Sequence, residues 1–233
     1  MRFVEGTFPF LRETGHVIAL VGAGGKTTLM YEMARRYAER GAKVLVTTTT
    51  HIFRPESGHW AQDPEETVRL WGQGTYAVAG IPCEDGKLCS LSEEVLDEYI
   101  RMADVVLIEA DGSKHKPCKV PAAHEPVIPE SCDIVIGVMG MCAWGKPLEE
   151  VCFRTEEAMR LLGITAREIL DEKRMAAILT SEEGTRKNVG DREYYVMLSQ
   201  CETKERTQAA ERIRELLKMQ KIEHCVIGKE EMR

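Results

Sequence analysis

Residues 16–28 combine an apolar run, a glycine-rich turn and the beginning of a helical pattern. The apolar run predicts a buried strand, and the apolar residues that recur at helical spacing after position 28 predict a helix. Glycines let the backbone turn its N–H groups toward one point, where the helix dipole adds positive potential. The segment therefore predicts a phosphate-binding loop. The residues expected to hold the nucleotide are Gly22, Ala23, Gly24, Gly25, Lys26, Thr27 and Thr28.

Two side chains of this loop carry the chemistry that a nucleotide site needs. Lys26 supplies a positive charge for the β- and γ-phosphates and is the expected catalytic cation, and the Thr27 hydroxyl is an expected ligand of Mg²⁺. The commonest phosphate loop has a glycine six residues before its lysine, where this chain has Leu20. The shorter pattern G-x-x-G-K-T-T resembles instead the loop of ATP-dependent amide ligases and is close to those of signal-recognition and MinD-like NTPases.

ATP and GTP are both open as the nucleotide. G proteins read guanine with a segment of the pattern Asn-Lys-x-Asp, whose carboxylate accepts the N–H groups of the base. This chain has Ser199-Gln200-Cys201-Glu202 at the corresponding place, after a predicted strand. Glu202 matches the acid of that pattern, whereas Ser199 and Gln200 depart from it.

The order of the predicted elements points to an α/β fold. Residues 43–47 predict a second strand after the helix, so residues 16–47 form a βαβ unit whose two strands are parallel. We therefore expect a single P-loop NTPase-like domain over residues 1–233, with a mostly parallel sheet flanked by helices. Further strands are predicted at residues 104–110, 133–138, 194–198 and 224–227. The last of these is expected to close the sheet.

Two regions depart from this simple alternation. Residues 52–91 are expected to form a small inserted α/β decoration. Within it, a helix is predicted to begin after Asp63, and residues 76–79 and 87–91 are predicted to pair as a hairpin. Residues 165–179 predict a helix that is broken near position 170.

A nucleotide hydrolase needs an acidic side chain at the end of a buried strand to hold Mg²⁺ opposite the phosphate loop. The apolar run at residues 105–108 ends in Glu109, with Asp111 two residues further on. Side chains alternate along a strand, so both carboxylates point the same way if the extended backbone continues to Asp111. We assign Glu109 to the metal and Asp111 to the catalytic positioning of water.

Polar residues after the predicted strands are candidates for a substrate site or for switch loops. Thr49, Thr50 and His51 follow the second strand, where open α/β sheets bind their ligands. Lys114 belongs to a basic run, and His124 to a proline-bounded loop that could serve as a lid. Cations at these places could hold an anionic substrate or stabilise transition-state charge. Alternatively, the threonines have no function beyond ending a strand with residues of high β-propensity, and the basic run is a loop exposed to solvent.

The composition argues against several classes of function. A net charge of −7 opposes nucleic acid as a main partner, because phosphate contacts dominate that kind of binding. The eight cysteines include no C-x-x-C pair, which favours scattered reduced thiols over a metal or redox site. The sequence shows no signal-peptide pattern and no apolar run near the ~18 residues that span a bilayer. We expect a cytoplasmic protein without a membrane partner.

Three motifs together resemble one known family. They are G-A-G-G-K-T-T at residues 22–28, V-L-V-T-T-T-T-H-I at residues 44–52 and E-A-D-G-S at residues 109–113. In these motifs the chain is similar to the YqeC-type accessory proteins of selenium-dependent molybdenum hydroxylases. The resemblance implies a role in building or inserting a selenium cofactor, with a molybdenum hydroxylase or its maturation proteins as partner. It leaves the chemical reaction open.

The expected function is that of a Mg²⁺-dependent P-loop protein that couples ATP or GTP hydrolysis to this maturation. One alternative is a small-molecule kinase or an ATP-dependent ligase, in which His51, Lys114 and Lys116 hold an anionic acceptor. Another is a nucleotide-gated chaperone or scaffold with little turnover. A homodimer is an expectation by analogy with other proteins of this nucleotide class.

Overall fold

A large, mostly parallel sheet forms the centre of this computed structural model, which describes residues 2–5, 8–55 and 58–229. The strands in these ranges are β1 Arg2–Glu5, β2 His16–Gly22, β3 Val44–Thr48, β4 His51–Phe53, β5 Trp60–Ala61, β6 Ala77–Ala79, β7 Ile81–Pro82, β8 Lys87–Cys89, β9 Val105–Glu109, β10 Cys118–Lys119, β11 Ile134–Gly140, β12 Cys152–Phe153, β13 Glu193–Ser199 and β14 Cys225–Lys229. The large sheet has the order β1-β14-β13-β11-β2-β9-β3-β6-β5.

Helices cover the large sheet. In the described ranges they are α1 Lys26–Ala38, α2 Pro64–Gly72, α3 Glu93–Met102, α4 Leu148–Val151, α5 Thr155–Leu162, α6 Glu172–Thr180 and α7 Lys204–Met219. Adjacent strands of the large sheet are parallel, except that β1 runs antiparallel to β14. The predicted α/β class with a mostly parallel sheet is therefore confirmed. No helix in these ranges is long and apolar enough to cross a membrane.

The central strand β2 is buried on both faces. Ile18 belongs to one apolar cluster with Met33 of α1, whereas the neighbouring Ala19 belongs to another with Leu96 of α3. Successive side chains of a strand point to opposite faces, so a strand between two helical layers is apolar at consecutive positions. This explains why residues 17–21 form a continuous apolar run.

The sheet order brings several loops to one edge. β2 lies between β11 and β9, and β9 lies between β2 and β3. Because these strands are parallel, their carboxyl ends meet at the same edge of the sheet. The glycine-rich loop after β2, the residues after β3 and the acidic residues at the end of β9 are therefore neighbours.

The hairpin predicted for residues 76–79 and 87–91 is wrong. Ala77–Ala79 pairs in parallel with β3 and β5, whereas Lys87–Cys89 pairs in antiparallel fashion with Ile81–Pro82 and with β4. The chain leaves the large sheet at Gly80, where an added Cβ would lie only 2.8 Å from the Cβ of Leu88. Glycine has no Cβ and therefore permits this close contact. As a result, Ala77–Ala79 pairs within the large sheet, whereas Lys87–Cys89 pairs within a separate small sheet.

Two other expectations need correction. The helix predicted for residues 165–179 is restricted to α6 Glu172–Thr180, because the carboxylate of Asp171 accepts a hydrogen bond from Arg174 N at 2.9 Å and caps the helix there. Before this cap, Leu170 N donates to Lys146 O instead of to a helical partner. The last strand, β14, does not close the sheet, because β1 lies outside it.

Candidate functional site

The loop between β2 and α1 lies in close contact with β11. Gly22 and Gly24 have φ values of +90° and +81°, which glycine adopts without strain. A Cβ added to Gly22 would lie 2.4 Å from Val138 O, and a Cβ added to Gly24 would lie 2.4 Å from Gly140 N. Ala23 N donates to Val138 O at 2.8 Å. The glycines are therefore needed both for the turn and for the approach of the loop to β11.

The first turn of α1 begins directly after this loop. Gly25, with φ +104°, precedes the helix, and its carbonyl accepts a hydrogen bond from Leu29 N at 2.9 Å. The first N–H groups of a helix have no partner within the helix, and its dipole favours an anion at this end. Thr28 is exposed at this turn, and Thr27 is partly exposed. The backbone here suits a phosphate group.

Lys26 is buried and forms an ion pair. Its Nζ lies 2.6 Å from Gly22 O and 3.1 Å from Asp111 Oδ1, and the two charged side chains are only 3% and 2% exposed. The other carboxylate oxygen of Asp111 accepts a hydrogen bond from Gly22 N at 3.1 Å. Asp111 therefore holds both the lysine and the loop backbone. Its assignment to the positioning of water stays a prediction.

Asp111 also begins a chain of ion pairs that runs from the interior to the half-buried Arg154. Lys119 Nζ lies 3.1 Å from Asp111 Oδ2 and 2.9 Å from Glu125 Oε2, and it donates to Gly112 O at 2.6 Å. Arg154 Nε lies 3.0 Å from the same oxygen of Glu125. Burial raises the pKa of Glu125, but hydrogen bonds from Lys119 and Arg154 more than offset burial and leave this pKa below its usual value.

Thr27 and Glu109, the two predicted Mg²⁺ ligands, are in direct contact. The Thr27 hydroxyl donates to Glu109 Oε2 at 2.7 Å and so connects the first turn of α1 to the end of β9. Burial raises the pKa of the Glu109 carboxyl, and the nearby carboxylate of Asp111 adds to the effect, while Lys26 and Thr27 oppose it. A buried carboxyl group with a raised pKa is typical of functional sites.

A cleft of about 520 Å³ gathers the residues that the sequence assigns to a substrate site or to switch loops. They are Thr49, Thr50, His51, Lys114 and His124. Gly112, Glu125 and Arg154 line the same cleft, so the chain of ion pairs connects it to the glycine-rich loop after β2. The Thr49 hydroxyl donates to Val127 O at 2.7 Å and thus also fixes the wall of the cleft.

Positive charge surrounds Phe153, an aromatic residue in the wall of this cleft. Lys114 Nζ, Lys119 Nζ and Arg154 Cζ lie 5.4, 5.7 and 4.9 Å from the centre of its ring. Such contacts are favourable cation–π interactions. Lys119 and Arg154 neutralise Glu125, whereas Lys114 forms no ion pair within the described ranges. The cleft therefore suits an anionic ligand.

Sequence reasoning missed Lys119, Glu125 and Arg154. The lysines of residues 113–119 form one basic run in the sequence, and Lys114 of this run lies in the cleft wall. Lys116 donates to Glu150 O at 2.5 Å and is not part of that wall, so its predicted role in holding an acceptor loses its structural support. One signal could have distinguished Lys119, because it stands between Cys118 and Val120 and is the single charged residue of the stretch 117–123.

The segment 199–202 lies beside the glycine-rich loop after β2. The Ser199 hydroxyl donates to Gly24 O, and the Glu202 carboxylate lies 3.1 Å from Arg206 Nη1. Ser199 is fully buried, so its contact supports the loop backbone. The segment is thus close to the candidate site.

The fold and this site define a class of protein: an α/β protein with a mostly parallel sheet, flanked by helices, and a strand–glycine loop–helix unit at its carboxyl edge. The family described as YqeC protein matches residues 18–156. A protein named Uncharacterized protein YqeC, from Escherichia coli (strain K12), is 36% identical over 199 residues, which cover 80% of this chain and 77% of the relative. The chain belongs to the YqeC family. No solved structure was found to match it.

Proposed function

We propose that this protein is a Mg²⁺-dependent P-loop nucleotide hydrolase that uses ATP or GTP. The observation that carries the proposal is the convergence of four predicted side chains on one glycine-rich loop. Lys26 and Asp111 are paired beside Gly22, and Thr27 and Glu109 are paired at the first turn of α1. A cation and unpaired helix N–H groups suit phosphate, whereas the hydroxyl and carboxylate oxygens suit Mg²⁺.

The residues at this turn fit a magnesium ion by their chemistry. Mg²⁺ prefers oxygen ligands, and the Thr27 hydroxyl and the Glu109 carboxylate provide two at a mutual distance of 2.7 Å. A cation beside Glu109 would also counteract the burial that raises its pKa. Mg²⁺, when bound, would neutralise negative charge on the phosphate oxygens. Thr27 and Glu109 would hold it.

The protein's own groups then bind and orient the nucleotide. The N–H groups at residues 25–28 and the Lys26 ammonium donate to phosphate oxygens, where charge-assisted hydrogen bonds are strong. Asp111 pairs with Lys26 and accepts from Gly22 N, so it positions the ammonium relative to the loop. Residues 47–55 and 111–125 flank this site and are the proposed switch segments.

The biological role that we propose is assistance in maturing or inserting a selenium cofactor for molybdenum hydroxylases. Its support is the resemblance of three motifs to YqeC-type accessory proteins, together with membership of the YqeC family. The partner would be a molybdenum hydroxylase or one of its maturation proteins. Faster nucleotide hydrolysis in the presence of that partner would support the role.

Calorimetric titration with ATP and GTP, each with and without Mg²⁺, tests the nucleotide site. We expect one nucleotide to bind at one site per chain, and its affinity to fall by about tenfold or more when Mg²⁺ is removed. Preference for ATP or GTP identifies the base. Failure of both nucleotides to bind would contradict the proposal.

Replacing Glu109 with glutamine is expected to weaken Mg²⁺-dependent nucleotide binding and to stabilise the protein without ligand. Because the pKa of Glu109 is raised in the folded state, its contribution to stability is present at low pH and is lost as the pH rises through the folded pKa. Glutamine cannot ionise, so the advantage of Glu109→Gln should grow over that range and then level off. Thermal unfolding measured across pH checks this result.

The exposed Glu130 provides a matched control for this substitution. Glu130→Gln should leave both the Mg²⁺ dependence and the unfolding temperature close to those of the unsubstituted protein. If Glu109→Gln unfolds at a lower temperature than the unsubstituted protein at neutral pH, the Glu109 carboxylate stabilises the fold. The proposed trade between stability and metal binding would then be wrong.

A small-molecule kinase or ATP-dependent ligase is the second candidate function. The positively charged cleft beside Asp111 favours it, because such an enzyme needs a place for an acceptor anion next to the nucleotide. A hydrolase should consume nucleotide without any small acceptor, either by itself or with a protein partner. A kinase or ligase should consume nucleotide only when a small acceptor is present. Nucleotide consumption measured with and without small carboxylates and phosphates separates the two candidates.

A further inference from the structure

Three side chains of metal-ligand type lie together outside the nucleotide site. They are His51, Cys83 and Cys89, and one ligand atom from each lies within 4.8 Å of the others. His51 begins β4, Cys83 follows β7 directly, and Cys89 ends β8. These strands form a separate sheet in the order β4-β8-β7. The cluster therefore belongs to a small sheet next to the cleft, not to the phosphate loop.

The strand register explains how residues so distant in sequence meet. His51 is directly opposite Cys89 across one antiparallel pair, and Ile81 is directly opposite Cys89 across the other. Opposed residues project from the same face of a sheet, and Cys83, two positions after Ile81, shares that face. The intervening Leu88 is fully buried on the other face. The pleating of this small sheet therefore places the imidazole and the two thiols on the same face.

The two thiols of this cluster are in contact and partly exposed. Cys83 is hydrogen-bonded to Cys89, and the sulfur atoms of the two residues lie within 4.8 Å of one another. Most other cysteines of the chain are packed in the interior, as this residue type usually is. The buried cysteines are Cys118, Cys132, Cys152, Cys201 and Cys225. The position of Cys83 and Cys89 at the surface thus has no explanation in core packing.

The cluster lies between two hollows of the surface. His51 and Cys89 line the cleft of about 520 Å³ described above, while His51 and Cys83 line a second hollow of about 370 Å³. Glu84, Asp85 and Lys87 complete the second hollow. A cation can therefore reach the three ligand atoms from solvent.

We propose that His51, Cys83 and Cys89 form a binding site for a thiophilic d¹⁰ cation of the Zn²⁺ class. Two thiolates and one imidazole are ligands that Zn²⁺ takes, and three protein ligands leave a fourth position for water or another ligand. In a tetrahedral site with Zn–S bonds of about 2.3 Å, ligand atoms lie roughly 3.5 Å apart. A separation of at most 4.8 Å closes to that value by side-chain rotation. This site is distinct from the proposed oxygen site for Mg²⁺.

Titration of the full-length, reduced protein with Zn²⁺ and with Co²⁺ tests the proposal. We expect one equivalent of Zn²⁺ to bind in competition with a fluorescent chelator. Bound Co²⁺ should show sulfur-to-metal charge transfer and the visible bands of tetrahedral coordination. His51→Ala, Cys83→Ser and Cys89→Ser should each weaken Zn²⁺ binding by about tenfold or more.

Matched controls separate this site from other thiols and from the nucleotide site. Cys142 is half-buried but lies outside the cluster, so Cys142→Ser should bind Zn²⁺ as the unsubstituted protein does. Lys26→Ala should also retain Zn²⁺ binding, which makes the result independent of the nucleotide hypothesis. Absence of stoichiometric binding, or unchanged affinity in the three cluster variants, would overturn the proposal. A Cys83–Cys89 disulfide in protein that binds no Zn²⁺ after reduction would indicate a redox pair instead.

Discussion

Replacing Lys26 with alanine is expected to weaken Mg²⁺-nucleotide binding by roughly 10- to 100-fold, because a hydrogen bond between charged groups contributes about 1.5–3 kcal/mol. Lys26 begins α1, where phosphate would bind, and its ammonium lies against Gly22 O and Asp111. Its loss removes the cation while the loop glycines and the helix N–H groups stay in place. Calorimetric titration of Lys26→Ala beside the unsubstituted protein measures the effect.

The same substitution also breaks a buried ion pair, so folding must be measured in parallel. Asp111 keeps Lys119 as a partner in Lys26→Ala, and we therefore expect the variant to fold. Lys43→Ala removes an exposed lysine at the amino end of β3 and should leave nucleotide binding unchanged. If Lys26→Ala stays folded and binds nucleotide as tightly as the unsubstituted protein, the assigned role of the loop is wrong.

The chain of ion pairs gives the two parts of the site a physical connection. It runs from Lys26 through Asp111, Lys119 and Glu125 to Arg154, with contacts of 2.9 to 3.1 Å. Each carboxylate is shared between two cations, so a phosphate that binds Lys26 would change the charge balance along the whole chain. Such a network is a candidate route by which a nucleotide could affect the cleft.

The parts of the fold that follow from local rules could be predicted from sequence. β2, α1 and β9 have continuous or periodic apolar patterns, and Asp63 and Ser92 begin helices with side-chain caps. The pairing of short strands could not be predicted, because it depends on contacts such as that between Gly80 and Leu88. Local pattern specifies that a strand forms, whereas tertiary packing selects its partner.

The residues of the candidate site also divide into those that local sequence patterns predict and those that depend on the fold. Lys26, Thr27, Glu109 and Asp111 could be predicted as neighbours in the candidate site, because each follows from a loop or a strand end that the sequence shows directly. Lys119 and Glu125 act through burial, and burial depends on elements brought together by the fold. The cluster of His51, Cys83 and Cys89 shows the same limit: the absence of a C-x-x-C pair favoured scattered thiols, but the register of the small sheet brings these three residues together.

Replacing Lys119 with methionine is expected to lower the free energy of unfolding by about 3–5 kcal/mol, because Asp111 and Glu125 each lose one of their two cationic partners inside the protein and Gly112 O loses its donor. The Lys119 side chain is fully buried and contacts Asp111, Glu125 and Gly112 O. At roughly 2–4 °C per kcal/mol for a domain of this size, the unfolding temperature should fall by about 6–20 °C. Denaturant and thermal unfolding check the two values.

The neighbouring Lys116 provides a matched control for this substitution. It belongs to the same basic run but donates only to Glu150 O near the surface, so Lys116→Met should change the free energy of unfolding by less than about 1 kcal/mol. Equal effects of the two substitutions would contradict a special role for Lys119.

The pH dependence of the unfolding temperature gives a second, independent check on the role of Lys119. Because the pKa of Glu125 is lowered in the folded state, its contribution to stability is present above the unfolded pKa and is lost as the pH falls through the folded pKa. Lys119→Met removes one of the two cations that lower this pKa, so the variant has less of this stability to lose. The difference in unfolding temperature between the two proteins should therefore narrow as the pH falls. A difference that stays constant would mean that Lys119 acts by packing, and that the buried charges do not form a coupled chain.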